Sequence, residues 1–129
     1  MSNASNASNV SNASNVSNVS NDSNDSNDLN DSRVLLIASS DLSHYENAHV
    51  AAHMDAIMIG HVEMVDPDGL MSALEVEPRH ACGGGPMVSV LRAARQLGAS
   101  HARVLRYADS GDVSGDKSSV VGYMAAVVW

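Results

Sequence analysis

Three short loops gather most of the side chains whose types and spacing suit chemistry. The first, Ser39-Ser40-Asp41-Leu42-Ser43-His44-Tyr45, follows an apolar run and sets a carboxylate three residues ahead of an imidazole. His44 can serve as base, acid or metal ligand near neutral pH, and Asp41 is spaced to orient it or to share a metal. On spacing alone the same residues also suit a helix cap, with Ser43 or Asp41 tying down the next helix. The second loop is Ala81-Cys82-Gly83-Gly84-Gly85-Pro86. Its glycines let the backbone approach a ligand closely. Pro86 suits a helix start, which leaves N–H groups and the positive end of the helix dipole facing the loop. A cysteine there gains thiolate character, and thiolate suits zinc, iron or copper. An inert cysteine beside a glycine turn fits the same residues. The third loop, Ser110-Gly111-Asp112-Val113-Ser114-Gly115-Asp116, repeats Ser-Gly-Asp after four residues. It suits a cation or phosphate loop, or two successive turns of the kind Gly and Asp favour.

The remaining histidines give weaker signals. His49 and His53 are four apart on a predicted helix, a spacing that can chelate a metal. They lie off its apolar stripe and are expected to face solvent. His61 reads as a helix-edge residue, and His80 and His101 carry no pairing signal.

The elements that must hold these loops follow from periodicity. Val34-Leu35-Leu36-Ile37-Ala38 is a continuous apolar run, which predicts a strand buried on both faces. A helix is expected over 46–65, because Ala51, Met54, Met58, Val62 and Val65 recur at spacings of three and four. A second helix opens at Pro67 with Asp66 as its cap, buries Leu70, Met71 and Leu74, and ends at Pro78. A third carries Met87, Val90, Leu91, Ala94 and Leu97 on one face and stops at Gly98. Ala102-Arg103-Val104-Leu105-Arg106-Tyr107 alternates as a half-exposed strand. Residues 120–128 are apolar almost throughout and predict a central strand. The expected order is β-α-α-α-β-β, an α/β or α+β domain of at least three strands.

With 129 residues the chain holds at most one ordinary domain. Residues 1–32 are a Ser-Asn-X repeat with four aspartates and no basic residue. Too few apolar side chains are present there to offset the entropy of ordering, so the tract is expected to be disordered, with the folded part at 33–129. The net charge of −8 divides equally between the two segments. An acidic chain without a basic run is a poor partner for nucleic acid. The single cysteine excludes an internal disulfide. No apolar run reaches the roughly 18 residues of a membrane span, and no signal-peptide pattern opens the chain. A cytoplasmic protein is expected.

The three loops in this order resemble the Memo family. The resemblance rests on Ile37 through Tyr45, on Ala81 through Pro86, and on the run from Tyr107 through Ser110 and Asp116 to Tyr123. It covers essentially all of 33–129 and is nearest the prokaryotic branch called AmmeMemoRadiSam system protein B. It implies a fold like that of class III non-haem iron extradiol dioxygenases. It also implies a pocket in which Cys82 is a metal ligand, His44 a ligand or acid/base, and Asp41 their support. Ser40, Gly83, Gly84, Ser110 and Asp112 would line the surrounding loops. Iron or copper is the implied metal and redox chemistry the implied role. A small molecule or peptide would occupy the pocket, and an AMMECR-type protein and a radical-SAM protein are the implied partners.

One departure is expected to matter. The family's earlier histidine ligands lie ahead of the segment matching residue 33, and residues 1–32 contain no His, Cys or Glu. The sequence therefore reads as the C-terminal part of a Memo-like domain, with an incomplete metal site and strand edges open to self-association. A non-catalytic module that binds a peptide or phosphate group, and a non-functional remnant, are the competing readings.

Overall fold

A computed structural model of the chain describes residues 35–129. The Ser-Asn-X tract and its expected disorder, together with Arg33 and Val34, lie outside the described residues. Three strands and four α-helices follow in the order β1 (His44–Glu46), α1 (Ala48–Glu63), α2 (Pro67–Val76), a 3-10 turn (Pro78–His80), α3 (Gly84–Gln96), β2 (Ala102–Asp109), α4 (Gly111–Ser114) and β3 (Val120–Val128). The sheet is antiparallel with β3 between β1 and β2.

Helix α1 forms where the apolar stripe predicts it. Ala51, Met58 and Val62 are buried, and Val65 beyond its end is buried too. The helix ends in a Schellman turn: Asp66 N–H donates to the His61 carbonyl at 2.8 Å and Val65 N–H to the Val62 carbonyl at 3.0 Å. The left-handed position of that turn, usually glycine, is Val65 with φ of 50°. Burial of its side chain in the core offsets the backbone strain. Asp66 then caps α2, accepting from Gly69 N–H at 2.9 Å. Met71 is exposed rather than buried, since the inward positions of α2 go to Leu70, Ala73 and Leu74. Helix α3 starts at Gly84, ahead of the expected Pro86, because the unpaired N–H groups of a first turn tolerate proline.

The helices cover one face of the sheet. Leu42, Met58, Leu70, Met87, Val88 and Leu91 form the centre of the core, with Met124, Ala126 and Val128 of β3 packed against it. β3 is the central strand, as expected, but it alternates: Tyr123 and Val127 face outward and are exposed. In β2 the alternation breaks at Leu105, where a register shift between Val104 and Arg106 marks a bulge. The bulge leaves Leu105 and Arg106 exposed in succession and turns Tyr107, instead of Arg106, toward the helices.

The expected buried strand at 34–38 is not formed. Residues 35–38 are irregular, and Leu35 and Ile37 are 81% and 76% exposed. Among the described residues no strand lies alongside to accept a ladder, and an apolar run without one stays unpaired. The segment instead borders an apolar groove of about 600 Å³ against Leu91, Ala94, Leu97, Val127 and Trp129. The first strand among the described residues is β1, ten residues later than expected at its start. Among the described residues no helix is long and apolar enough to cross a membrane.

Candidate metal centre

Asn47, not Ser43 or Asp41, caps α1, with its side chain accepting from Val50 N–H at 3.1 Å. Asp41 and His44 are thus free of the capping role that spacing alone allowed them. Their loop is held by backbone bonds to β3: Leu42 N–H donates to the Gly122 carbonyl at 2.9 Å, and Gly122 N–H to the Ser43 carbonyl at 3.0 Å. Leu42 is buried in the core and anchors the loop from below. Beyond it, His44 and Glu46 pair with successive residues of β3 while Tyr45, at φ of 61°, bulges outward. A bulge of this kind re-aims the side chains beside it.

The second loop is stitched to the first through Ser40. The Ser40 hydroxyl donates to the Asp41 carbonyl at 2.7 Å and accepts from Gly83 N–H at 2.8 Å. Cys82 N–H donates to the Asp41 carbonyl at 3.3 Å. The packing leaves no room for a side chain on Gly83 or Gly84. A Cβ on Gly83 would stand 2.6 Å from Ser40 Cβ, and one on Gly84 2.5 Å from Leu74 Cδ1. Close backbone approach is what these glycines supply.

The result is a group of three different donors. A carboxylate oxygen of Asp41, a ring nitrogen of His44 and the Cys82 sulfur all lie within 4.8 Å of one another. His44 Nε2 is 3.5 Å from Asp41 Oδ2, and Cys82 Sγ is 4.0 Å from Ser40 Oγ. Metal–ligand bonds of about 2.0–2.3 Å set donors on one ion at most ~4.6 Å apart, so a small closure of the loops lets all three reach one ion. Mixed oxygen, nitrogen and sulfur donors suit a transition metal rather than calcium or magnesium. His44 is half-buried and Cys82 exposed, so the group opens to solvent.

The third loop stands apart from this group. Ser110 closes the sheet beside β3, accepting from Val121 N–H at 3.0 Å and donating its own N–H to the Val121 carbonyl at 2.9 Å. His44 pairs with Val121 from the opposite edge. Two strand spacings, roughly 10 Å, therefore separate them. Asp112 is engaged by Lys117, whose ammonium also donates to both oxygens of Asp109 at 2.8 and 3.0 Å. These contacts lower the Asp112 carboxyl and raise the Lys117 amine from their ordinary values. The Lys117 ammonium already supplies the positive charge that this cluster of acids attracts. The loop's evident task is to tie down α1, since Ala48 N–H donates to the Lys117 carbonyl at 3.0 Å.

His49, His53 and His101 are exposed, and His61 pairs with Asp66 at 3.1 Å. His80, two residues before Cys82, is buried, and its Nδ1 finds no hydrogen-bond partner among the described residues. The residue that sequence reasoning missed is Asp55. It lies fully buried on the inner face of α1, accepting from Ser43 N–H at 2.9 Å and from the Tyr107 hydroxyl at 2.7 Å. Its signal was present: positions 51, 55, 58 and 62 keep the spacing of the buried stripe, and only one of them is charged.

Comparison with known proteins agrees with the arrangement of the loops. The family model for Memo-like protein matches residues 12–127. A MEMO1 family protein of Methanosarcina mazei is 45% identical over 96 residues, covering 74% of this chain and 36% of the relative. Its counterpart in Methanocaldococcus jannaschii is 43% identical over 96 residues, covering 74% and 33%. That of Sulfolobus acidocaldarius is 45% identical over 92 residues, covering 71% and 32%. The chain spans about a third of the length of these curated relatives. The loops bearing Asp41, His44 and Cys82 fall inside the matched residues, and the chain belongs to the Memo family.

Proposed function

We propose that this chain carries one side of a metal centre in which Asp41, His44 and Cys82 bind iron or copper. The observation that supports the reading is the convergence of three unlike donors, from two loops 40 residues apart, within 4.8 Å. Surface acids cluster often, but a thiol, an imidazole and a carboxylate held together by a serine bridge suit a coordination site. The fold around them is proposed to be a portion of a class III extradiol-dioxygenase-like domain, by analogy with the family.

A bound iron or copper ion would supply redox chemistry and polarise an oxygen ligand. The chain's own residues then have separable tasks. Cys82 offers a soft thiolate and His44 an imidazole, the donor types that favour these metals. Asp41 lies 3.5 Å from His44, close enough to ligate beside it. Ser40 fixes the gap between the two loops. Three ligands leave further positions open, which the family analogy assigns to histidines ahead of the segment matching residue 33. A small molecule or peptide would enter at the solvent side, where Cys82 is exposed. An AMMECR-type protein and a radical-SAM protein are the proposed partners, in the cytoplasm.

Metal analysis of the purified chain tests the reading. Stoichiometric iron or copper at neutral pH, lost on Cys82→Ala and on His44→Ala, is the expected result. Protein that folds cooperatively yet binds neither metal would sink it.

A further inference from the structure

The most deeply buried ionisable group in the described fold is not one of the three donors. Asp55 is fully buried on the core side of α1, on the same stripe as Ala51, Met58 and Val62. Its recorded hydrogen bonds come from two neutral donors, Ser43 N–H and the Tyr107 hydroxyl. A buried carboxylate held by neutral donors is costly beside an apolar residue of similar size. The helix does not need it, since the rest of the stripe already packs on the core. What needs an acceptor is Ser43 N–H, which lies in the same loop as the candidate ligands Asp41 and His44.

The surroundings are shaped to this bond. Gly122 of β3 lies against the Asp55 carboxylate so closely that any Cβ there would overlap it. Gly122 also takes the Leu42 N–H and gives its own N–H to the Ser43 carbonyl. The backbone of Leu42 and Ser43 is therefore gripped by β3 on one side and by Asp55 on the other. Tyr107 reaches Asp55 from β2 only because of the bulge at Leu105. Three elements thus converge on the peptide between Asp41 and His44.

From this we infer that Asp55 is a positioning residue for the metal centre, fixing the Asp41–His44 loop through Ser43 N–H, with Tyr107 holding the carboxylate in place. The inference rests on the metal reading above and assigns Asp55 no contact with the metal. Groups one step behind the ligands commonly change metal affinity by about 10–100-fold when removed.

The test uses metal titration of the full chain with iron(II) or copper, together with hydrogen exchange of the Ser43 amide in metal-free protein. Asp55→Ala is expected to weaken binding at least 10-fold and to release the Ser43 amide to exchange. Asp55→Asn keeps an acceptor for Ser43 and a partner for Tyr107, so it is expected to stay within about threefold of wild type. If Asp55→Ala does not fold, Tyr107→Phe carries the test: weaker binding beside a near-normal Asp55→Asn supports the role. Folded Asp55→Ala with wild-type affinity overturns it, and so does Tyr107→Phe with wild-type affinity where Asp55→Ala is unfolded. Asp55→Asn as weak as Asp55→Ala overturns it as well, because charge and not position would then be the cause. Wild-type protein that binds no metal defeats the metal reading itself, an outcome distinct from the others.

Discussion

Gly83→Ala is the sharpest perturbation of the loop junction. Gly83 has φ of −102° and ψ of 32°, a conformation open to alanine, so the backbone itself poses no obstacle. The added methyl would stand 2.6 Å from Ser40 Cβ, 2.7 Å from the Ser39 carbonyl oxygen and 2.8 Å from Ser40 Oγ. Carbon atoms pack at about 3.5–4.0 Å, so the Ser39–Ser40 segment must retreat by roughly 1 Å. That retreat stretches the Gly83 N–H bond to Ser40 Oγ, which stands at 2.8 Å. Overpacking costs about 1–3 kcal/mol and a lost hydrogen bond about 1 kcal/mol, which together predict about 2–4 kcal/mol of destabilisation. The three donors lie within 4.8 Å of one another and must close slightly to share one ion, so a further ~1 Å is expected to weaken metal binding about 10–100-fold. Gly85→Ala is the internal control, since a Cβ there meets nothing within 4 Å. In the first turn of α3 it is expected to stabilise by about 0.4–1 kcal/mol with metal affinity unchanged. Urea unfolding of metal-free protein and a competition titration read both quantities. Gly83→Ala within about 0.5 kcal/mol of wild type would refute the packing argument, as would equal losses in the two variants.

Gly60 lies in the interior of α1 with open space around its missing side chain. Gly60→Ala is expected to stabilise by about 0.5–1 kcal/mol in thermal or urea unfolding. Burial and the Asp55 carboxylate raise the Tyr107 phenol above its ordinary value. Its contribution is therefore fully present below about pH 10 and lost as pH rises past that toward the folded value. Wild type should lose stability more steeply than Tyr107→Phe on the alkaline side, measured by urea midpoints across pH. Side-chain and backbone bonds from Arg79 hold the Glu77 carboxyl at about 2 against 4.5. That contribution is present above 4.5 and lost as pH falls toward 2. Glu77→Gln should flatten this part of the acid unfolding curve, and an unchanged curve would count against the Arg79 contact.

The sequence made the candidate donors easier to see than the structure that holds them, and the reason is physical. Asp41, His44 and Cys82 are metal-ligating side-chain types set among small residues, and that contrast survives in one dimension. Local periodicity was equally legible for α1, because a helix stripe is a property of neighbouring residues, whereas β3 was read as apolar almost throughout and in fact alternates. The run at 34–38 misled because a buried strand is defined by its neighbours, which the run itself cannot supply. The alternation read over 102–107 failed for a related reason. A bulge adds one residue to a ladder, and strict alternation read past it turns Arg106 inward in place of Tyr107. Asp55 was missed because the stripe was drawn through its apolar members alone. A charge that keeps the stripe's spacing is better read as a buried polar group in need of a partner, because burial without one is what physical chemistry forbids. In this chain one of the two partners of Asp55 is a backbone N–H, which every residue but proline carries, so no side-chain pattern could have named Ser43. Positioning by backbone atoms and by the absence of a Cβ at Gly83 and Gly122 leaves only glycines and one misplaced acid in the sequence. Those are the residues whose substitution should disturb folding and metal binding together.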